Sequence, residues 1–170
     1  MIATAGTPEK CAYARSLGAD AAVDYSRAEW PDAVREATGG RGVDVILDSV
    51  GGDVLRQGIG LLAPFGRLVF YGSAGGGLGI PSVSPMELIG MRFLTGFALS
   101  AWRSARPDRY RADHDALTEQ LLAGTVRQTV HAVLPLEDVG KAHEIIESRA
   151  HLGRIVLLTG RGTRTTGRTA

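Results

Sequence analysis

A chain of 170 residues, 44% hydrophobic and 22% charged, has enough material for one packed domain with a sizeable core. Its formal net charge of +1, with no basic stripe before the tail, gives no electrostatic footprint for nucleic acid. No apolar run reaches the ~18 residues that a membrane-spanning helix needs. The single cysteine, Cys11, excludes an intrachain disulfide and a cysteine-based metal cluster. A lone cysteine suits a reducing cytoplasm as the expected compartment, and the opening MIATAGTPEK is too short and polar for a signal peptide.

Ile2–Ala5 reads as a short strand. Thr7-Pro8-Glu9 then carries a hydroxyl N-cap, a proline at the first helical position and an acid in the first turn, predicting a helix to Leu17 with Gly18 as its stop. Ala21–Asp24 is the next strand. Ser26 and Glu29 have capping-box spacing, which predicts a helix to about Thr38, ended by Gly39-Gly40. Val43–Asp48 is apolar enough for a strand buried on both faces. A helix over about Asp53–Leu62 and a buried strand at Arg67–Tyr71 follow. The rhythm breaks at Gly72–Gly79, a loop with five glycines. Beyond it the sequence predicts a strand at Met91–Leu99, a charged helix from about Pro107 to Ala123, a strand at Val130–Leu134, a helix over Leu136–Arg149 and a last strand at Arg154–Leu158. Residues 160–170, rich in Gly, Thr and Arg, read as a disordered tail.

Strands and helices alternating at this spacing predict an α/β fold: a doubly wound, Rossmann-like parallel sheet with helices on both faces. Ligands of such sheets bind outside the C-terminal ends of the strands.

Four segments together resemble the medium-chain dehydrogenase/reductase superfamily, in its zinc-independent quinone oxidoreductase branch. They are TPEKCAYARSLGADAAVDY (7–25), GGRGVDVILDSVGG (39–52), LLAPFGRLVFYG (61–72) and LPLEDVGKAHEIIESRAHLGRIVL (134–157), in the family's order and spacing. The resemblance implies that Met1–Thr4 corresponds to the second Rossmann strand. The family's catalytic domain, its first strand and its pyrophosphate-binding glycine turn have no counterpart in the sequence, so the chain is expected to be the back portion of a longer enzyme. Gly75–Gly79 is no replacement turn, because Pro81 follows and no amphipathic helix starts there. The resemblance divides the chain into a partial Rossmann domain (1–125), a strand–helix–strand returning toward the catalytic lobe (126–159) and the tail.

An acid closing the second Rossmann strand would select NAD; here the strand ends Ala5-Gly6-Thr7, and Lys10 follows on the first helical turn. The resemblance implies that Lys10 and Tyr25 contact the 2′-phosphate of NADPH. Read from the residues alone, a solvated lysine and a ring covering the core are the commoner roles. Asp48-Ser49-Val50-Gly51 ends a strand, where the resemblance implies contact with the adenosine side through Ser49; the residues alone equally allow a helix entry capped by Ser49. Tyr71-Gly72-Ser73 would approach the nicotinamide half, with Gly72 permitting close backbone contact. Arg149 would reach the cofactor from near the chain's end, although a cation facing a helix C-terminus is the commoner role.

Four histidines lie on different elements without metal-ligand spacing, so no metal is expected. No side chain is assigned as catalytic: neither Ser49 nor Ser73 has a neighbouring histidine, and the resemblance implies direct hydride transfer from NADPH to a quinone or an activated alkene. It also implies a homodimer paired through Met91–Leu99. The chain by itself is expected to be inactive. The alternative is a non-catalytic nucleotide-binding or dimerisation remnant. A methyltransferase using S-adenosylmethionine should close the first strand with an acid, and Ala5 stands there.

Overall fold

The computed structural model describes residues 1–74 and 81–160. The Gly75–Gly79 run and the tail at 161–170 lie outside the described residues. The chain divides into two compact units, Met1–Ala112 and Asp113–Ala170.

In the first unit β1 (Ile2–Ala5), α1 (Pro8–Ser16), β2 (Ala21–Asp24), α2 (Trp30–Ala37), β3 (Val43–Asp48), α3 (Gly52–Gly60), β4 (Leu62–Phe70), β5 (Phe93–Gly96) and α4 (Leu99–Ala105) follow in order. Every strand pair is parallel. One sheet is β1-β2, in register from Ile2 opposite Ala21 to Ala5 opposite Asp24; another is β3-β4-β5. The α/β class and the parallel sheets are those expected from the alternating sequence.

Local chemistry fixes the elements. Thr7 Oγ1 accepts from the Lys10 amide at 3.2 Å, capping α1 with Pro8 at its start. The Ser26–Glu29 box does not form. Asp24, at the strand end, captures Ser26 through its hydroxyl (2.7 Å) and amide (3.0 Å), and α2 starts only at Trp30 with no side-chain cap. A carboxylate two residues upstream competes better for those donors than a box that must close over three. The box that does form lies in the loop before β5, where Glu87 Oε1 accepts from the Ser84 amide at 2.9 Å.

Two clusters make the core of this unit. Leu55 and Ile59 of α3 pack with Leu62 and Leu68 of β4, against Ile46, Phe70 and Leu94. Trp30 and Val34 of α2 pack with Leu61, against Ile2, Val23, Tyr25, Val43 and Val54. The Trp30 indole N–H donates to Gln57 Oε1 at 2.5 Å, which satisfies the polar end of a buried ring.

Three expectations need correction. Val43–Asp48 is a strand, but not one buried on both faces: Val45 and Leu47 are 52% and 68% exposed. Ile46 packs against both core clusters, and Val43 against the one that holds Trp30 and Val34. β4 starts at Leu62 rather than Arg67, and its register jumps from Val43 opposite Leu62 to Val45 opposite Arg67, the extra residues bulging at Phe65, whose φ is 65°. The strand expected over Met91–Leu99 spans only Phe93–Gly96. Met91 has a φ of 59°, which starts it late, and Leu99 already opens α4.

The second unit contains most of α5 (Pro107–Leu122), then β6 (Val130–Pro135), α6 (Val139–Glu147) and β7 (Arg154–Leu158), with β6 and β7 parallel and Ala142 of α6 buried.

Candidate nucleotide-binding site

The C-terminal ends of parallel strands gather the expected contact residues of the first unit into two groups. At the β1–β2 end, the Tyr25 amide donates to Ala5 O at 2.9 Å, drawing the ring over Gly6. A Cβ on Gly6 would lie 3.2 Å from the Tyr25 hydroxyl, so glycine lets the ring settle on the turn. Lys10 is half-buried on the first turn of α1, three residues after its cap. Asp24, next to Tyr25, is held below the usual carboxylate range, first by the Ser26 hydroxyl, then by the Ser26 amide and more weakly by Arg27 at 3.9 Å.

At the β3–β4 end, Asp48 is 4% exposed. Its Oδ1 accepts from the amides of Val50 (2.7 Å) and Gly51 (3.1 Å), shaping the entry to α3. Asp48, rather than Ser49, thus organises that turn. Its Oδ2 is buried and has no hydrogen-bond partner. The Tyr71 amide donates to Asp48 O and the Ala74 amide to Ser49 O, both at 2.9 Å, which lays Tyr71-Gly72-Ser73 across Ser49. A Cβ on Gly72 would come within 3.2 Å of Ser49 O, a close approach that a larger residue would have to push apart. Ser49 and Gly72 are therefore neighbours, while the Tyr71 ring is 51% exposed.

Arg149 belongs to the second unit. It follows α6 with a φ of 55°, and its amide donates to Ile146 O at 3.1 Å. In the same unit the Leu152 amide donates to His131 Nδ1 at 3.3 Å, and the rings of His131 and His151 meet edge to face, 6.5 Å apart.

The role of Asp48 was readable, since an Asp closing a strand two and three residues before free amides is a turn acceptor. The settling of Tyr25 on Gly6 was not, because two strands must pair in register before those residues meet.

Between the two groups lies a cleft of about 490 Å³. Ile2 and Thr4 of β1 line one side and Val45, Leu47 and Asp48 of β3 the other, with Trp30 among its walls. No helix of the described residues is long and apolar enough to cross a membrane.

Residues 17–157 match the family described as zinc-binding dehydrogenase. The 2-haloacrylate reductase of a Burkholderia species is 35% identical over 159 residues, which are 93% of this chain and 47% of that protein. Quinone oxidoreductase 1 of Escherichia coli K12 is 29% identical over 93% of this chain and 49% of its own length. A mycobacterial protein solved in complex with NADPH superposes with a TM-score of 0.79 at 30% identity, covering 92% of this chain and 49% of that one. The chain thus spans about half the length of the curated relatives it matches. The family's description implies zinc, but no three His, Cys, Asp or Glu side chains gather as a ligand set among the described residues. Those donors do not fit the ion. With its parallel α/β sheets and a match over most of its length, the chain belongs to the zinc-binding dehydrogenase family, within the medium-chain dehydrogenase/reductase superfamily.

Proposed function

We propose that these residues form the nucleotide-binding part of an NADPH-dependent reductase of quinones or activated alkenes, working in the cytoplasm as a homodimer. The observation that carries this reading is the β1–β2 end. No acid closes β1 at Ala5, Lys10 stands half-buried on the next helical turn, and Tyr25 lies over Gly6. A lysine and a hydroxyl beside an acid-free strand end suit a 2′-phosphate better than a 2′-hydroxyl. The relatives named as a haloacrylate reductase and a quinone oxidoreductase support the acceptor class.

When bound, NADPH supplies a hydride from C4 of its reduced nicotinamide, and the electron-poor acceptor takes it while solvent supplies the balancing proton. In this reading Lys10 and Tyr25 hold the 2′-phosphate, and Ser49 lies by the adenosine. Gly72 and Tyr71 admit the nicotinamide half. The protein's share is orientation and the exclusion of water.

The test is a fusion of this chain to the half of the Burkholderia reductase that lies outside the match. NADPH oxidation with 2-chloroacrylate or benzoquinone, and a clear preference over NADH, is expected. A folded fusion that binds neither nucleotide would support the alternative, a remnant without catalysis.

A further inference from the structure

We propose that a second cavity of the first unit, about 360 Å³ between α2, α3 and the segment leading into β5, binds a phosphate group, carried by free phosphate or by a phosphate monoester. Three arginines from three elements line it: Arg35 of α2, Arg56 of α3 and Arg92, just before β5. Among the described residues the lining holds one carboxylate, Glu87. None of the proposed nucleotide contacts lines it, so the site stands apart from the cofactor.

Arg92 holds the most demanding donor. Its amide donates to Leu88 O at 3.1 Å, directly after the left-handed Met91, which fixes where the side chain leaves the backbone. Its Nε is buried and has no hydrogen-bond partner among the described residues. A buried guanidinium donor without an acceptor is costly, and an anion satisfies both its hydrogen and its charge. Gln57 supplies a second donor. Its Oε1 accepts the Trp30 indole N–H at 2.5 Å, which fixes the amide so that Nε2 is left to donate. Arg56 is oriented rather than used up: Nη1 alone donates to Ser82 O at 2.5 Å and meets Glu87 Oε1 at 3.0 Å, leaving Nε and Nη2. Glu87 is itself engaged, since the same oxygen accepts from the Ser84 amide at 2.9 Å. Arg35 is half-exposed and tied through Nη1 to Asp32 at 2.6 Å, so this outer carboxylate offsets the excess of positive charge only in part. Donors arriving from three elements suit the tetrahedral oxygens of a phosphate, whereas a planar carboxylate engages one guanidinium fork at a time. A Cβ on Gly60 would meet nothing within 4 Å, so that wall is open and, with Pro31, leaves apolar room for the organic part of an ester.

The test titrates the full chain, carrying Trp102→Phe, with sodium phosphate, butyl phosphate or sodium acetate at constant ionic strength, followed by calorimetry and by Trp30 emission. Saturable phosphate binding is expected, with a shift in Trp30 emission through its bond to Gln57, and with acetate at least about tenfold weaker. Tighter binding of butyl phosphate than of phosphate would assign the site to a monoester, and equal affinities would assign it to free phosphate; either upholds the proposal. Arg92→Gln should weaken phosphate binding at least about tenfold. Gln57→Glu keeps an acceptor for Trp30 but turns a donor into a negative charge. It should weaken binding as much without lowering the denaturant midpoint, and so tests the site even if Arg92→Gln does not fold. Arg111→Gln, at an exposed arginine outside the cavity, should leave binding unchanged. No saturable phosphate binding, or acetate bound as tightly as phosphate, would overturn the proposal. So would undiminished affinity in Gln57→Glu. Binding lost in Lys10→Ala but kept in Arg92→Gln would put the phosphate among the nucleotide contacts instead, and would equally overturn it.

Discussion

Where β1 ends, the chain reads Ala5-Gly6-Thr7, and the first charges that follow are Glu9 and Lys10. If Lys10 holds the 2′-phosphate, Lys10→Ala in the fused protein should raise the NADPH Michaelis constant about fivefold, the equivalent of roughly 1 kcal/mol for a partly exposed pair, and leave that for NADH unchanged. Equal losses for both nucleotides would remove Lys10 from the phosphate site. Asp24 makes a second prediction. Its bonds to Ser26 and its neighbour Arg27 hold its folded value below the usual carboxylate range. Its contribution is therefore complete above that range and is lost as pH falls through the depressed value. The chain's denaturant midpoint should drop as pH falls below about 4, and the drop should be shallower in Asp24→Asn. Identical pH profiles for the two would show that Asp24 gains nothing from its partners.

Among the elements, what the sequence made legible was what its near neighbours decide. Thr7-Pro8-Glu9 predicted the start of α1 because the cap bond spans three residues, and Thr7→Ala should cost about 1 kcal/mol in a denaturant titration. The Ser26–Glu29 spacing misled because Asp24, belonging to the preceding strand, took Ser26 first. The run Val43–Asp48 announced a strand, yet its burial depends on what covers the second face, and nothing within the run carries that information. Similarly, apolar residues from Met91 to Leu99 suited a long strand until the left-handed Met91 and the start of α4 shortened it. The site was legible to the same degree. Individual strand ends could be named, but the seating of Tyr25 on Gly6 and of Gly72 on Ser49 follows from strand pairing. The join of β3 and β4 gives a further test. Gly42 has a φ of 87°, and a Cβ there would lie 2.8 Å from Leu61 O and 2.9 Å from the Ala63 amide. Gly42→Ala should destabilise by more than about 1 kcal/mol, through strain and contact together. An unchanged midpoint would mean that this crossing is looser than described.

For the whole molecule, β5 is one of the two outer strands of its sheet, and Met91, Phe93, Phe97 and Leu99 around it are each at least 44% exposed. An apolar edge of this kind is protected when two copies pair across a two-fold axis. Light scattering of the fused protein should give the mass of a dimer, and a monomer at tens of micromolar would speak against pairing through β5. The more direct question is whether the 170 residues complete a nucleotide site by themselves. The two halves of the first unit meet across a cleft rather than a shared strand, and Asp48 keeps one buried oxygen unpartnered there. Equilibrium titration of NADPH into the chain alone and into the fused protein, followed by nucleotide fluorescence with quinone reduction read in parallel, tests this most directly. Saturable binding and turnover are expected in the fused protein, and neither in the chain alone. Micromolar binding with turnover by the 170-residue chain would contradict it.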